Sequence, residues 1–301
     1  MEPFEVHVLG CGCAIPTRHH LPSAQVVNVR GKLSLVDCGE CAQLSLRKQR
    51  LSLLKLRNAF LSHLHGDHCY GMPGLLSTFG LLGRTAAFHV YAPADYEQQL
   101  RSFCDHIEFE VVFHAVDTTL FAPIYDDRSV TVYSLPLKHS VPCSGFLFKE
   151  KPLQPHIRRD MIDYFGIPLA DIPAIKDGAD WTAPDGRVIP NAQLTRAADP
   201  PRSYAYCSDT AFVPELAEHV KGCTLLYHEA TYGSDRQASA AKYLHSTAAE
   251  AARIARMAGV GRLMIGHYSS RYPDESVLLD EARSIFPNTL LADEGLTVQV
   301  G

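Results

Sequence analysis

The 301-residue chain has no uninterrupted apolar run approaching the ~20 residues that a membrane-spanning helix needs, which excludes an integral membrane protein built of helices. It has no excess of positive charge. The formal net charge is −5, which argues against indiscriminate nucleic-acid binding and leaves room only for a local basic surface. A basic, apolar leader is also missing: Met1-Glu2-Pro3-Phe4-Glu5 is acidic and enters a strand-like run, so a cytoplasmic location is expected. The nine cysteines are odd in number and, without such a leader, read as reduced thiols and not as a disulfide framework. No fixed-period repeat or low-complexity tract breaks the chain. A composition of 46% hydrophobic and 20% charged residues belongs to a globular protein, and the length buries enough apolar surface to need no covalent staples.

Short apolar or alternating runs at Phe4 to Leu9, Ala24 to Val29 and Leu33 to Val36, punctuated by Gly and Pro, predict strands. Further strands are expected at Ala59 to Ser62, Phe88 to Tyr91, Val130 to Leu137, Ser203 to Cys207, Leu225 to His228 and Arg262 to Ile265. Helical spacing falls at Ala42 to Gln49, Gly71 to Leu82, Pro214 to His219, Thr247 to Met257 and Glu275 to Ile285. The interleaving predicts an α/β fold, layered, with helices outside. From Lys151 to Arg202 the texture changes, with eight of the 19 prolines, the single tryptophan, and seven basic against seven acidic residues. This segment reads as an irregular excursion inserted into one domain.

The densest chemistry is Leu61-Ser62-His63-Leu64-His65-Gly66-Asp67-His68, three imidazoles and a carboxylate within six residues directly after an apolar strand. An i, i+2 pair at a strand end points both side chains the same way, so His63 and His65 can grip one ion. Asp67 and His68, around a turn that Gly66 permits, face a neighbouring position and could hold a second. Three more apolar strands run into ligand-type side chains, at His139, Asp209 and His267. Ligands at the carboxyl ends of several strands converge on one rim of a sheet, where α/β folds build their sites. Cys11, Cys13, Cys38 and Cys41 could offer four thiolates to a metal, but their glycine-flanked positions at strand ends suit small buried residues better.

The His-x-His-x-Asp-His string with downstream His139, Asp209 and His267 resembles the metallo-β-lactamase superfamily, and within it the chain is most similar to ribonuclease Z. That resemblance rests on Val8-Leu9-Gly10, Ile15-Pro16-Thr17, Val36-Asp37-Cys38-Gly39-Glu40, the His63 cluster with Gly71-Met72-Pro73-Gly74-Leu75-Leu76, and Ser208-Asp209-Thr210. Farther on, His228-Glu229-Ala230-Thr231, His245-Ser246-Thr247 and His267-Tyr268-Ser269-Ser270-Arg271-Tyr272 are more specific to this branch, and the likeness spans nearly the whole chain. It implies one domain over residues 1–301, an αβ/βα four-layer sandwich, with an inserted projecting arm at 151–202 that holds the tRNA elbow. It further implies two divalent ions, zinc foremost: His63, His65 and His139 on one, Asp67, His68 and His267 on the other, and Asp209 bridging. Asp67 would also accept a proton, Glu229 and His245 would form an acid/base relay, and Asp37 would fix the histidine turn by hydrogen bonds. The implied substrate is precursor tRNA and the implied assembly a homodimer.

Arg47, Lys48, Arg50, Lys55 and Arg57 form a carboxylate-free basic stretch between Cys41 and Gly66, which reads either as a phosphate track near the site or as a solvated face. In the arm, where many relatives carry a Gly-Pro pair and several lysines, the chain reads Pro168-Leu169-Ala170-Asp171-Ile172-Pro173, with Lys176 nearly alone as a possible RNA contact. The competing expectation is a small-molecule phosphodiesterase or related hydrolase using the same two metals.

Overall fold

A computed structural model describes residues 2–104 and 107–301. The strands, in chain order, are β1 (Phe4–Gly10), β2 (Ala24–Val29), β3 (Lys32–Val36), β4 (Leu56–Phe60), β5 (Phe88–Pro93), β6 (Val111–Val116), β7 (Pro123–Asp126), β8 (Val130–Pro136) and β9 (Ser144–Glu150). They continue as β10 (His156–Ile157), β11 (Trp181–Thr182), β12 (Val188–Ile189), β13 (Thr195–Arg196), β14 (Ser203–Cys207), β15 (Leu225–Glu229), β16 (Arg262–Gly266), β17 (Thr289–Leu291) and β18 (Thr297–Gln299). Two seven-stranded sheets result, in the orders β18-β1-β2-β3-β4-β5-β6 and β17-β16-β15-β14-β9-β8-β7. Each sheet is mixed. β3 to β6 run parallel in the first and β14 to β17 in the second, so the carboxyl ends of each parallel set share a rim.

Successive residues of a strand serve different cores, as a two-residue period requires. Val8, Val27, Val36, Phe60 and Tyr91 enter the cluster they share with the second sheet's Phe146, Phe148, Tyr204 and Tyr206. Their neighbours Leu9, Val26, Leu35, Ala59 and Val90 turn the other way, onto Leu46, Leu75, Leu76 and Phe79 of the helices Ala42–Lys48 and Met72–Leu81. The second sheet is covered by the helix Ala248–Ala258, whose small residues Ala248, Ala251, Ala252 and Ala255 are buried against it. Thr247 and Glu250 form a capping box at its start and Gly259 closes it in the left-handed conformation. The order is helices, sheet, sheet, helices: the four-layer α/β sandwich expected from the sequence. No helix among the described residues is long and apolar enough to cross a membrane.

The chain divides into two compact units, one running to Lys149 together with Arg202–Gly301, the other Glu150–Pro201. The second contains more regular structure than its proline-rich sequence predicts. Helices Arg159–Phe165, Ile172–Lys176 and Asn191–Leu194 and the ladders β10–β13 and β11–β12 surround Ile162, Ile175, Trp181 and Leu194. The prolines start elements here: Pro173 lies in the first turn of its helix and Pro190 at the cap of the next, where no amide partner is lost.

Several strands escaped the sequence reading, among them β6, β9 and the closing strand β18, which pairs with β1 nearly three hundred positions away. The expected strand Ala59 to Ser62 starts earlier, at Leu56, and ends at Phe60, because the Ser62 amide leaves the ladder for the Asp37 carboxylate at 2.7 Å. Phe60 sits between the sheets with ring centroids 4.8 Å from Tyr91 and 5.5 Å from both Phe146 and Phe148. Replacing it by alanine is expected to cost about 3–5 kcal/mol in urea unfolding, with the transition still cooperative; a loss under about 1 kcal/mol would show that this ring does not tie the sheets.

Candidate metal centre and catalytic cleft

β3 and β4 are parallel neighbours, and each delivers functional side chains just past its end: Asp37 after β3, and Ser62, His63 and His65 after β4. The chain then forms the short helix Gly66–Cys69, with His65 still extended before it. Gly66 therefore acts differently from the expectation. It is not in a left-handed conformation; a Cβ there would meet the Tyr70 ring at 2.4 Å, so the requirement is for space. From the second sheet come Asp209 after β14, Glu229 at the end of β15 and His267 after β16, with His139 following β8.

All seven expected ligand residues come together. His63 Nε2 and His139 Nε2 lie 3.1 and 3.2 Å from His65 Nδ1, and each lies 3.7 Å from Asp209 Oδ2. Across the same carboxylate, His68 Nε2 and His267 Nε2 are 3.3 Å apart, 3.4 and 3.5 Å from Asp67 Oδ2, and 3.5 and 3.2 Å from Asp209 Oδ1. Donor atoms about 2.0–2.1 Å from a tetrahedrally bound ion stand about 3.3–3.4 Å from one another, so both sets have the spacing of ligands around a cation. A second observation agrees. Asp209 is 2% exposed and its Oδ1 has no hydrogen-bond donor, which is costly for a buried carboxylate unless a cation faces it. The donor chemistry, imidazole and carboxylate, suits divalent zinc, manganese or iron.

The imidazoles are held from behind. Asp37, fully buried, accepts from Ser62 N at 2.7 Å, Ser62 Oγ at 2.9 Å, His68 Nδ1 at 2.8 Å and Tyr206 Oη at 2.6 Å. His139 Nδ1 bonds Leu244 O at 3.1 Å and His267 Nδ1 bonds Thr231 Oγ1 at 2.9 Å, so each ring turns Nε2 inward. Burial, reinforced by the neighbouring rings, pushes the His63 imidazole well below its usual value, leaving it a neutral donor. At His68 and His267 burial also opposes protonation, but Asp209, ahead of the other groups, raises both. A cation in place of those protons would satisfy the same carboxylates.

Beside the donors, His245 Nδ1 lies 2.9 Å from Glu229 Oε1. Glu229, fully buried, also accepts from the amides of Thr210 and Thr231, each at 3.0 Å, and from Thr231 Oγ1 at 2.7 Å. Burial alone would raise its carboxyl, yet His245 and these donors lower it to about 2. The arrangement opens into a cleft of about 360 Å³ that includes Ile15, Ser140, Tyr232, Tyr243 and Arg271. Sequence reasoning assigned none of these five to the site. Ile15 and Arg271 stand inside motifs that it quoted, but only the fold shows which of their neighbours face the cleft.

The basic stretch is not brought to this cleft, whose lining includes no lysine and Arg271 as its one arginine. Lys55 and Arg57 lie at the opening of β4 while His63 follows its end, so about 20 Å of strand separates Arg57 from His63. They border a separate cleft with Arg84 and His89, and Lys176 lies in the second unit. Among the described residues no candidate donor group contains more than one of the four early cysteines; Cys11 and Cys38 are buried, Cys13 is half-buried and Cys41 exposed.

Two parallel-edged sheets with histidine and aspartate donors gathered where their strands end define a metal-dependent hydrolase of the metallo-β-lactamase fold. The human tRNase Z short form has this fold (TM-score 0.71, 23% identity, 99% of each chain), as does the Bacillus subtilis metallo-β-lactamase fold protein YhfI (TM-score 0.72, 19% identity, 99% of this chain and 100% of that one). A family model described as anti-Pycsar protein Apyc1 matches residues 4–116. Ribonuclease Z of Bacteroides fragilis strain YCH46 is 52% identical over the full length of both chains, and the chain belongs to the ribonuclease Z family of phosphodiester-cleaving hydrolases. Replacing Asp37 by alanine removes the acceptor that orients His68, and divalent-ion affinity is expected to fall about 10–100-fold in chelator competition; an unchanged affinity would show that Asp37 serves only packing.

Proposed function

We propose that the chain is a zinc-dependent endoribonuclease that removes the 3′ trailer of precursor tRNA, leaving a 3′-hydroxyl on the tRNA. Besides the kinship with ribonuclease Z, the observation that carries this reading is the Asp209 carboxylate, one oxygen turned to His63 and His139 and the other to His68 and His267. In this reading His63, His65 and His139 would hold one ion, Asp67, His68 and His267 the other, and Asp209 would serve both. The pair of ions would lower the pKa of a water between them and draw charge from the phosphodiester.

The remaining work belongs to side chains. Asp67 accepts the proton of the water that attacks phosphorus in line; its carboxyl is held well below the usual range because His68 and His267 outweigh the effect of burial. As the bond from phosphorus to the ribose 3′ oxygen breaks, charge builds on that oxygen. His245, its Nδ1 fixed by Glu229, has Nε2 left to deliver a proton there, and the saturated Glu229 carboxylate keeps the ring oriented and favours its protonated form. The second unit, Glu150–Pro201, would hold the tRNA elbow, with a homodimer in the cytoplasm as the working form.

A small-molecule phosphodiesterase is the second reading, favoured by a catalytic cleft whose lining carries one arginine and no lysine. Metal analysis with end-mapped cleavage of precursor tRNA, run beside a generic phosphodiester, separates the two. We expect two zinc ions per chain and a single cut after the acceptor stem; turnover of the small ester alone would reject the ribonuclease. Asp67→Ala is expected to abolish cleavage while the far-ultraviolet circular dichroism stays unchanged, and near wild-type turnover would refute its role. His245→Ala should lower kcat by about 10²–10⁴-fold. Deleting Pro155 to Arg196 should impair precursor cleavage and spare the small ester; equal loss of both would mean that the insert supports the core.

A further inference from the structure

The segment between β1 and β2 forms one wall of the cleft through Cys13, Ala14 and Ile15. At its tip Ala14 adopts φ 57°, a left-handed conformation that is unfavourable for a non-glycine residue. That conformation has a visible use: the Ala14 amide donates to Asp67 Oδ2 at 2.7 Å. Strain of this kind persists only where the surroundings over-determine it.

The surroundings converge on His20. Its Nδ1 is 2.9 Å from Glu294 Oε2 and its Nε2 3.0 Å from Glu275 Oε1, so both ring nitrogens are committed to carboxylates from the far end of the chain. Glu294 also gathers the base of the loop, Oε1 accepting from Leu21 N at 2.8 Å and from Cys11 N at 3.2 Å. The hydrogen bond that Glu294 accepts, opposed by burial and aided by Glu275, raises the His20 imidazole to about 9, so the ring is a cation at neutral pH. Cys11 and the Tyr268 ring complete its surroundings. Cys11, His20 and Glu294 place three potential metal donors within reach of one another. However, with both imidazole nitrogens already carrying protons to carboxylates and the Cys11 thiol pushed up by burial, this group is an ion pair in place of a metal site.

We propose that His20, clamped between Glu294 and Glu275, is a positioning residue that locks the Cys11–Leu21 loop so that the Ala14 amide aims the Asp67 carboxylate at the second ion site. The clamp rests on the reading of Asp67 as a ligand of that site. It makes an asymmetric demand: the Asp67, His68 and His267 set loses a correctly aimed ligand when the loop loosens, whereas among the described residues the hydrogen bonds of His63, His65 and His139 go elsewhere.

The test is a competition of the full chain against a chromophoric chelator for Zn²⁺, resolving both sites, with His20→Ala and with Glu294→Gln, which keeps one oxygen acceptor for the two loop amides but removes the charge. Both variants should lose about 10–100-fold in affinity at one of the two sites, the magnitude of lost outer-sphere support, with the other within about threefold of wild type. Cleavage of precursor tRNA should lose kcat by a similar factor with KM little changed, and the Ala14 and Leu21 amides should exchange faster. If His20→Ala proves unfolded by circular dichroism, Glu294→Gln alone decides. Wild-type affinity at both sites in a folded variant overturns the clamp, as does an equal loss at both. A wild-type chain that takes up only one ion would overturn the two-ion reading and the clamp together.

Discussion

A buried carboxylate with an oxygen that accepts no hydrogen bond is the constraint on which the rest of this structure turns. Asp209 sits at 2% exposure between two sets of imidazoles, its Oδ1 within 3.2–3.5 Å of two rings but accepting no hydrogen bond. Leaving such a group uncompensated in a low-dielectric interior costs several kcal/mol, so its presence requires positive charge beside it. The neighbouring rings supply that charge as protons when they must, and they stand at the mutual distances of ligands around a cation. Asp37 repeats the pattern one layer back, where four donors neutralise it.

The sheets make this crowding affordable. Two separate parallel sets, β3 to β6 and β14 to β17, end in neighbouring loops, so the cost of close polar groups is met by the aromatic and aliphatic packing between the sheets. Phe60 and Tyr206 show the coupling directly: one ring ties the two sheets two residues before Ser62, and the other packs in the same core while its hydroxyl holds Asp37. The backbone bends where function needs it, with Asp37, His267 and Ala14 all at positive φ. Such conformations are held by the surrounding fold and not by local propensity.

Much of this was legible in one dimension. The His63 to His68 string announced its chemistry through density, and His139, Asp209 and His267 through their position after apolar strands. Legibility failed where distance along the chain misleads. The basic stretch from Arg47 to Arg57 lies a few residues before the histidines, yet Arg57 opens the strand that His63 follows. Gly66 looked like a turn residue and proved to be a matter of room beside Tyr70. The proline-rich segment looked irregular because prolines that begin helices cannot be told, by composition, from prolines that forbid them.

By itself the sequence determined the residue types, the period-two strands that bury one side chain on each face, and the family kinship carried by whole motifs, because these depend on local order and on spacing. Only the tertiary structure decided that Asp209 stands between two donor sets, that Glu229 is spent holding His245, and that His20 reaches Glu275 and Glu294 from more than two hundred residues away. Those relations depend on the register between strands and on which loops share a rim. Between strands far apart in the chain, register is set by which hydrophobic faces are buried together, and no single local stretch decides that.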